Sequence, residues 1–256
     1  MKELKMFGLV MAVALAAVGC KKDAKDVQAD PVPVAYKRIS KSVETYSDGS
    51  KETYTFTYDA KGRPATYTSD TKKDVFNFQS PTQLLITEYD IPGNVLSRTY
   101  ECTLNAQGAI TQMLFKNTAG TVTYSYTYTY NADGYMTGFK GSNGTDGYEE
   151  VPVIKDGNYI GSKTIFSGGK IYNNEYLLSN IENIQPGGFH AYWPVATLFG
   201  RPSKKLATEF KQFQINGDLN WHVKTNYTMA GDGSVATYTT DVLTTGLKSV
   251  VELSYD

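Results

Sequence analysis

Tyr124, Tyr126, Tyr128 and Tyr130 alternate with Ser125, Thr127 and Thr129, one ring at every second position. A helix repeats every 3.6 residues and would scatter these rings around its axis. A strand puts them all on one face and the hydroxyls on the other. The run ends in Asn131-Ala132-Asp133-Gly134 and the alternation then resumes. Asn can cap a tight turn with its own side chain and Gly supplies the positive φ it needs, so the chain reverses and pairs with itself.

The same frame recurs along the chain: YTFTYDAKGRPATYT (54–68), TEYDIPGNVLSRTY (87–100), YECTLNAQGAITQML (100–114) and, with Ala-Gly-Asp-Gly at the turn, TNYTMAGDGSVATYT (225–239). Gly62, Gly93, Gly108, Gly134 and Gly233 mark the reversals, and further hairpins are expected at 47–50 and 167–170. Strands at this spacing predict an all-β antiparallel meander of about 12 to 14 strands. A sheet of that size does not stay flat and open, so it curves or closes, barrel-like. Residues 36–256 form this single domain. Tyr100, Cys102 and the four tyrosines are expected on its packed inner side, with Thr121, Thr123, Thr127 and Thr129 outward. A lipid-facing strand would instead keep Leu, Val and Ile at mid-bilayer and confine tyrosine to the interfaces.

The N-terminal region has a different character. Lys2 and Lys5 precede an apolar run from Met6 to Val18, short for a membrane helix and suited to a signal peptide. It ends in Ala17-Val18-Gly19-Cys20, which resembles the lipobox of bacterial lipoproteins. That resemblance implies cleavage of residues 1–19, lipidation of Cys20, and attachment to the bacterial outer membrane facing periplasm or surface. Residues 20–35, charged and then Pro-rich, cannot bury enough apolar surface to fold and read as a tether.

A formal net charge of −1 offers no basic surface for nucleic acid. Of two cysteines, Cys20 belongs to the lipid, so Cys102 has no disulfide partner and reads as a small buried apolar residue. The two histidines, His190 and His222, are far apart and no Cys-x-x-Cys occurs, which disfavours zinc. Asn143, Asp146, Glu149 and Glu150 form a weak calcium candidate on a glycine-rich hairpin tip. Ser-x-x-Lys at 69–72 and 167–170 falls in turns, where no helix brings lysine to serine. No catalytic motif and no cofactor is indicated.

Two resemblances follow from quoted residues. Phe56-Thr57-Tyr58-Asp59-Ala60-Lys61-Gly62-Arg63 is similar to the YD repeat of Rhs-type shell proteins, with phenylalanine at the first position. The lipobox, the tethered Tyr/Thr meander and LFGRPSKKL (198–206) together resemble a Bacteroidetes lipoprotein family of unknown function with a porin-like fold. The second resemblance implies a barrel-like meander and supplies no catalytic residues.

The repeat stops between Tyr176 and Phe210. Asn180, Ile181, Ile184 and a Pro-Gly-Gly break suggest a short helical turn, and FHAYWPVATLF (189–199) is too apolar to lie in water. A short helical or irregular cap near 179–205 is expected to fold onto the sheet. Its functional version is a pocket rim with Tyr192 and Trp193 as apolar wall and His190 and Arg201 as polar contacts. The leading functional reading is a non-enzymatic, lipid-anchored envelope module that binds a glycan, a lipid or another envelope protein. A glycan hydrolase would need two carboxylates in one cleft. A periplasmic lipid carrier would need an apolar cavity reaching the barrel mouth.

Overall fold

The computed structural model describes residues 37–183 and 194–256. The chain first builds β1 (Ile39–Tyr46), β2 (Lys51–Tyr58), β3 (Pro64–Thr68), β4 (Lys72–Ser80), β5 (Gln83–Asp90) and β6 (Val95–Leu104). Next come β7 (Ile110–Lys116), β8 (Val122–Tyr130), β9 (Met136–Ser142), β10 (Gly147–Lys155), β11 (Asn158–Phe166) and β12 (Ile171–Glu182). A 3-10 helix, Pro194–Phe199, precedes β13 (Lys205–Gln214), β14 (Leu219–Met229), β15 (Val235–Val242) and β16 (Leu247–Tyr255). Every strand pairs antiparallel with its sequence neighbours and β1 pairs with β16, so the meander closes into a barrel of sixteen strands.

The count exceeds the expected 12 to 14 because several reversals lack the Asx-x-x-Gly frame. The β3–β4 turn (69–71) and the β4–β5 turn (81–82) contain no glycine. In the first, Ser69 Oγ accepts from the backbone N–H groups of Thr71 and Lys72, at 3.3 and 3.1 Å. Both Ser-x-x-Lys stretches do lie at turns. Where the frame is present it has one physical meaning. Asp59, Asn105 and Asn117 each place Oδ1 between the N–H groups two and four residues on, at 2.9–3.1 Å. In the YD-like stretch, Arg63 Nε also donates to Asp59 Oδ2 at 2.8 Å, locking that hairpin.

Closure gives each alternating face a fixed meaning. Tyr124, Tyr126, Tyr128 and Tyr130 point into the lumen, where successive rings of the first three lie 4.9 and 6.0 Å apart. Gly141 is the partner of Tyr126, and a Cβ there would meet that ring at 2.6 Å, so the rings spread over a backbone that has no side chain. Thr123, Thr127 and Thr129 are exposed on the outside, and Thr121 is exposed in the turn before β8. The outer wall also carries cross-strand ion pairs: Lys116–Glu101 at 2.6 Å, Lys140–Glu149 at 3.1 Å and Lys248–Asp241 at 3.2 Å. The same outer face exposes Val151, Val153 and Leu177, so it carries charge and apolar surface together.

Because strands alternate in direction, the turns after even-numbered strands share one end with the start of β1 and the finish of β16. That end is capped. The helical turn expected from Asn180 onward gives way to strand over 180–182, since β12 keeps pairing with β13 as far as Glu182↔Lys205; Ile184 lies outside the described residues, and the 3-10 helix comes later. Gly200, at φ +89°, ends it so close to the Gly134 carbonyl and the Tyr130 ring that a Cβ would meet them at 2.5 and 2.8 Å. Arg201 N–H donates to that same Gly134 carbonyl at 2.9 Å. Tyr159 OH accepts from Met136 N–H at 2.8 Å and donates to the Arg201 carbonyl at 3.3 Å. Lys204 N–H bonds the Gly157 carbonyl at 3.1 Å, and Asn183 N–H the Lys204 carbonyl at 2.7 Å. Leu198 and Phe199 thereby enter the lumen among Ile110, Leu104 and Tyr128.

Leu198 is 5% exposed in that core, whereas Leu177 is 60% exposed on the outer wall. Leu198→Ala should therefore cost about 2–4 kcal/mol in urea denaturation, while Leu177→Ala should stay within about 0.5 kcal/mol. Equal effects would contradict this assignment of inside and outside.

Candidate functional site

His190, Tyr192, Trp193 and Cys20 lie outside the described residues. Arg201 is exposed at the capped end, its stem over the Gly134 turn. The calcium candidates do not converge. Asn143 Oδ1 is used as a turn cap, accepting from Asp146 N–H at 2.7 Å. Glu149 faces outward to Lys140, and Glu150 faces inward, accepting from Ser162 Oγ at 2.6 Å. Adjacent residues of a strand point to opposite faces, so this pair cannot share an ion. Among the described residues no group of three His, Cys, Asp or Glu is placed to hold a metal. Cys102 is buried beside Leu84 and Met113, and burial pushes its thiol up to about 12, leaving an unreactive apolar residue.

The lumen itself is the site. Its β10–β14 side is a closed polar chain. Glu150 accepts from Ser162, Asn174 Nδ2 donates to Ser162 and Thr164 at 2.8 and 3.1 Å, and Gln212 Nε2 donates to Asn174 at 3.1 Å. Burial raises the Glu150 carboxyl above its ordinary value although these donors oppose it. The other side, from β2 to β10, encloses a cavity of about 740 Å³. Leu198, Phe199, Ile110 and Met113 line its depth, and Phe76, Ile86, Phe115, Tyr126 and Tyr128 its walls. It reaches Glu52, Ser69, Thr71 and Lys72 towards the opposite end, the mouth.

Near that mouth the apolar parity is broken by charge. Lys72 and Asp74 share the inner face of β4 with Phe76, and Glu88 shares that of β5 with Ile86. Asp74 is the register partner of Glu88, and Glu88 of Arg98. Glu88 is fully engaged. Its Oε1 accepts from Lys72 Nζ at 2.9 Å and lies 3.2 Å from Arg98 Nε, and its Oε2 accepts from Tyr100 OH. Burial alone would raise Glu88, yet these partners outweigh it and hold the carboxyl below its ordinary value. Asp74 has no such support. It is 9% exposed, and its Oδ1 is buried with no hydrogen-bond partner. Burial, then the Glu88 charge, push it up to about 6 against the opposing Lys72 and Arg98.

An acid raised in the folded state holds its proton between the unfolded and folded pKa, where the unfolded chain has lost it. Asp74 therefore destabilises the fold increasingly from pH 4 to about 6 and by a constant amount above. Asp74→Asn should be more stable than wild type at pH 7 by on the order of 2 to 3 kcal/mol, and equal to it at pH 4. Chemical denaturation at both pH values measures this difference. A gap that persists at pH 4, or reverses sign at pH 7, would contradict the assignment.

No family model matches the sequence, and neither does any curated protein. Among solved structures, the chain is similar to a porin-like protein from Bacteroides uniformis, with 18% identity over 85% of this chain and 98% of that one, at a TM-score of 0.62. It is also similar to a porin-like protein from Bacteroides vulgatus, with 13% identity over 86% of this chain and 99% of that one, at a TM-score of 0.56. At these identities the likeness is one of fold: this chain is a closed, antiparallel, porin-like β-barrel.

Proposed function

We propose that this protein is a non-enzymatic cell-envelope module, lipid-anchored at Cys20, that receives the apolar body of a small amphiphile in its barrel lumen. The observation that carries this reading is the cavity of about 740 Å³, floored by Leu198 and Phe199. Its volume lies in the range of about 300–1,000 Å³ typical of small-molecule sites. The signal segment, the lipobox and the porin-like fold support an envelope location.

The mouth supports a lipid surface as the source of the ligand. Exposed apolar side chains concentrate there: Val95, Leu96, Val122, Phe166, Ile215, Leu219, Leu243 and Leu247 all lie in or beside turns of that end. Ile215 is 70% exposed and Leu247 58%. Apolar side chains gathered at several turns of one end suit a surface that dips into a membrane interface. It would place the opening of the cavity against lipid.

A glycan fits less well, because Phe76, Ile86, Ile110, Met113 and Leu198 offer no partners for sugar hydroxyls in the depth of the cavity. The hydrolase reading meets its geometric demand in part, since Asp74 and Glu88 stand side by side. Both Glu88 oxygens are nonetheless taken by Lys72, Arg98 and Tyr100, which leaves Asp74 without the second free carboxylate that glycoside hydrolysis needs.

Two variants test the reading in Cys20→Ala protein, where the anchor itself makes no contribution to membrane binding. Dodecanol should bind one to one, and Met113→Trp, which fills the cavity, should weaken it about 10-fold or more, with the far-UV spectrum unchanged. Leu243→Lys with Leu247→Lys should abolish sedimentation with phosphatidylcholine vesicles and leave dodecanol binding intact. Absence of one-to-one binding in the parent protein would overturn the proposal.

A further inference from the structure

The lumen wall specifies more than an apolar body. An unpartnered carboxylate oxygen in the wall of an otherwise aromatic cavity is costly to the free protein. Buried polar atoms are ordinarily satisfied, and the cost is relieved only by a donor brought to it. Asp74 is nine-tenths buried, its Oδ1 is bonded to nothing, and it lines the cavity one strand away from Glu88. The nearby cations do not serve it. Lys72 is held by Glu88, Asp90 and, at 3.3 Å, Ser97, while Arg98 pairs with Glu88.

The charge around Asp74 selects the kind of donor. Among the residues that line the cavity, Glu52 on β2, Asp74 on β4 and Glu88 on β5 are carboxylates and Lys72 is a cation, with Arg98 paired to Glu88 beside them. Carboxylates outnumber cations, so a cation is favoured there over a neutral hydroxyl and an anion is repelled. The aromatic faces of Tyr54, Tyr67 and Tyr100 line the same stretch of wall, and Tyr54 and Tyr67 stack at 5.7 Å. Such faces attract an ammonium as well as packing a hydrocarbon stem. A metal ion is disfavoured, because Glu88 has no free oxygen to share with Asp74.

We infer that the ligand is a cationic amphiphile whose protonated amine donates to Asp74 while its apolar body lies along the aromatic wall towards Leu198 and Phe199. This rests on the lumen being a binding cavity and adds the chemistry of the head group. Comparison with the outer wall isolates Asp74 as the determinant. Glu101, paired there with Lys116, is a carboxylate of the same barrel that a lumenal ligand never meets.

Dodecylamine, dodecanol and dodecanoate, each below its micellar concentration, are titrated into the full-length protein and followed by calorimetry. Wild type should bind dodecylamine about 10-fold or more tighter than dodecanol, and dodecanoate weakest. Asp74→Asn should abolish the preference for dodecylamine over dodecanol; Glu101→Gln should keep the wild-type preference. Dodecanol binding without preference for the amine, or a preference that survives Asp74→Asn, overturns the head-group inference and leaves the lumen reading standing. Binding of none of the three overturns both.

Discussion

The barrel depends on one constraint, the closure of an alternating sheet upon itself. In an open sheet a one-residue slip between two strands exchanges their faces locally. Once β1 is bonded to β16, register is propagated around sixteen strands and a slip has nowhere to end. The alternation of ring and hydroxyl seen in β8 is then an instruction about inside and outside. Tyrosine answers that instruction well because it buries a large ring and keeps a hydroxyl for a nearby carbonyl. Tyr130 bonds the Ile110 carbonyl at 2.6 Å, Tyr227 the Ala207 carbonyl at 2.7 Å and Tyr255 the Val235 carbonyl at 2.7 Å, each fastening one strand to another across the inner wall.

Sixteen strands enclose more space than side chains fill in an eight-stranded barrel. This protein disposes of that space in two ways. The chain from β10 to β14 fills its share with a hydrogen-bonded polar network, Glu150 to Gln212, in which each buried group has a partner. The aromatic side leaves a cavity, and Leu198 and Phe199 floor it. The polar network stabilises by completeness, while Asp74, a few strands away, is conspicuous because it lacks the same treatment. A charge retained at a cost to stability inside a cavity is the pattern of a functional group.

Much of this was legible in the residues. Period two and the Asx-x-x-Gly frame gave strands, turns and faces, and Asn117-Thr118-Ala119-Gly120 carried the same frame as the turns that were recognised. The turns at 69–71 and 81–82 were less visible because serine hydroxyls and proline replace glycine there. The 3-10 helix lies inside the 179–205 span expected for a cap, but later than the turn expected from Asn180. Strand pairing to Glu182 outweighed the weak helical spacing of Ile181 and Ile184. The charged wall was missed, although a signal existed. In Lys72-Lys73-Asp74-Val75-Phe76-Asn77-Phe78, Asp74 has the parity of Phe76 and Phe78, a carboxylate on the apolar face. Which strands meet around it is a property of closure, and no local pattern contains that information.

The central claim is that the inner wall of this barrel, and not its outer wall, holds apolar ligand. Methyl-resolved NMR with a spin-labelled long-chain alcohol tests it directly. Ile86 and Met113 line the cavity, whereas Leu114 and Leu177 belong by strand parity to the outer wall. The account predicts that the label broadens the methyl signals of Ile86 and Met113 at one equivalent and leaves those of Leu114 and Leu177 sharp. Broadening confined to Leu114 and Leu177, or uniform across all four, would contradict it.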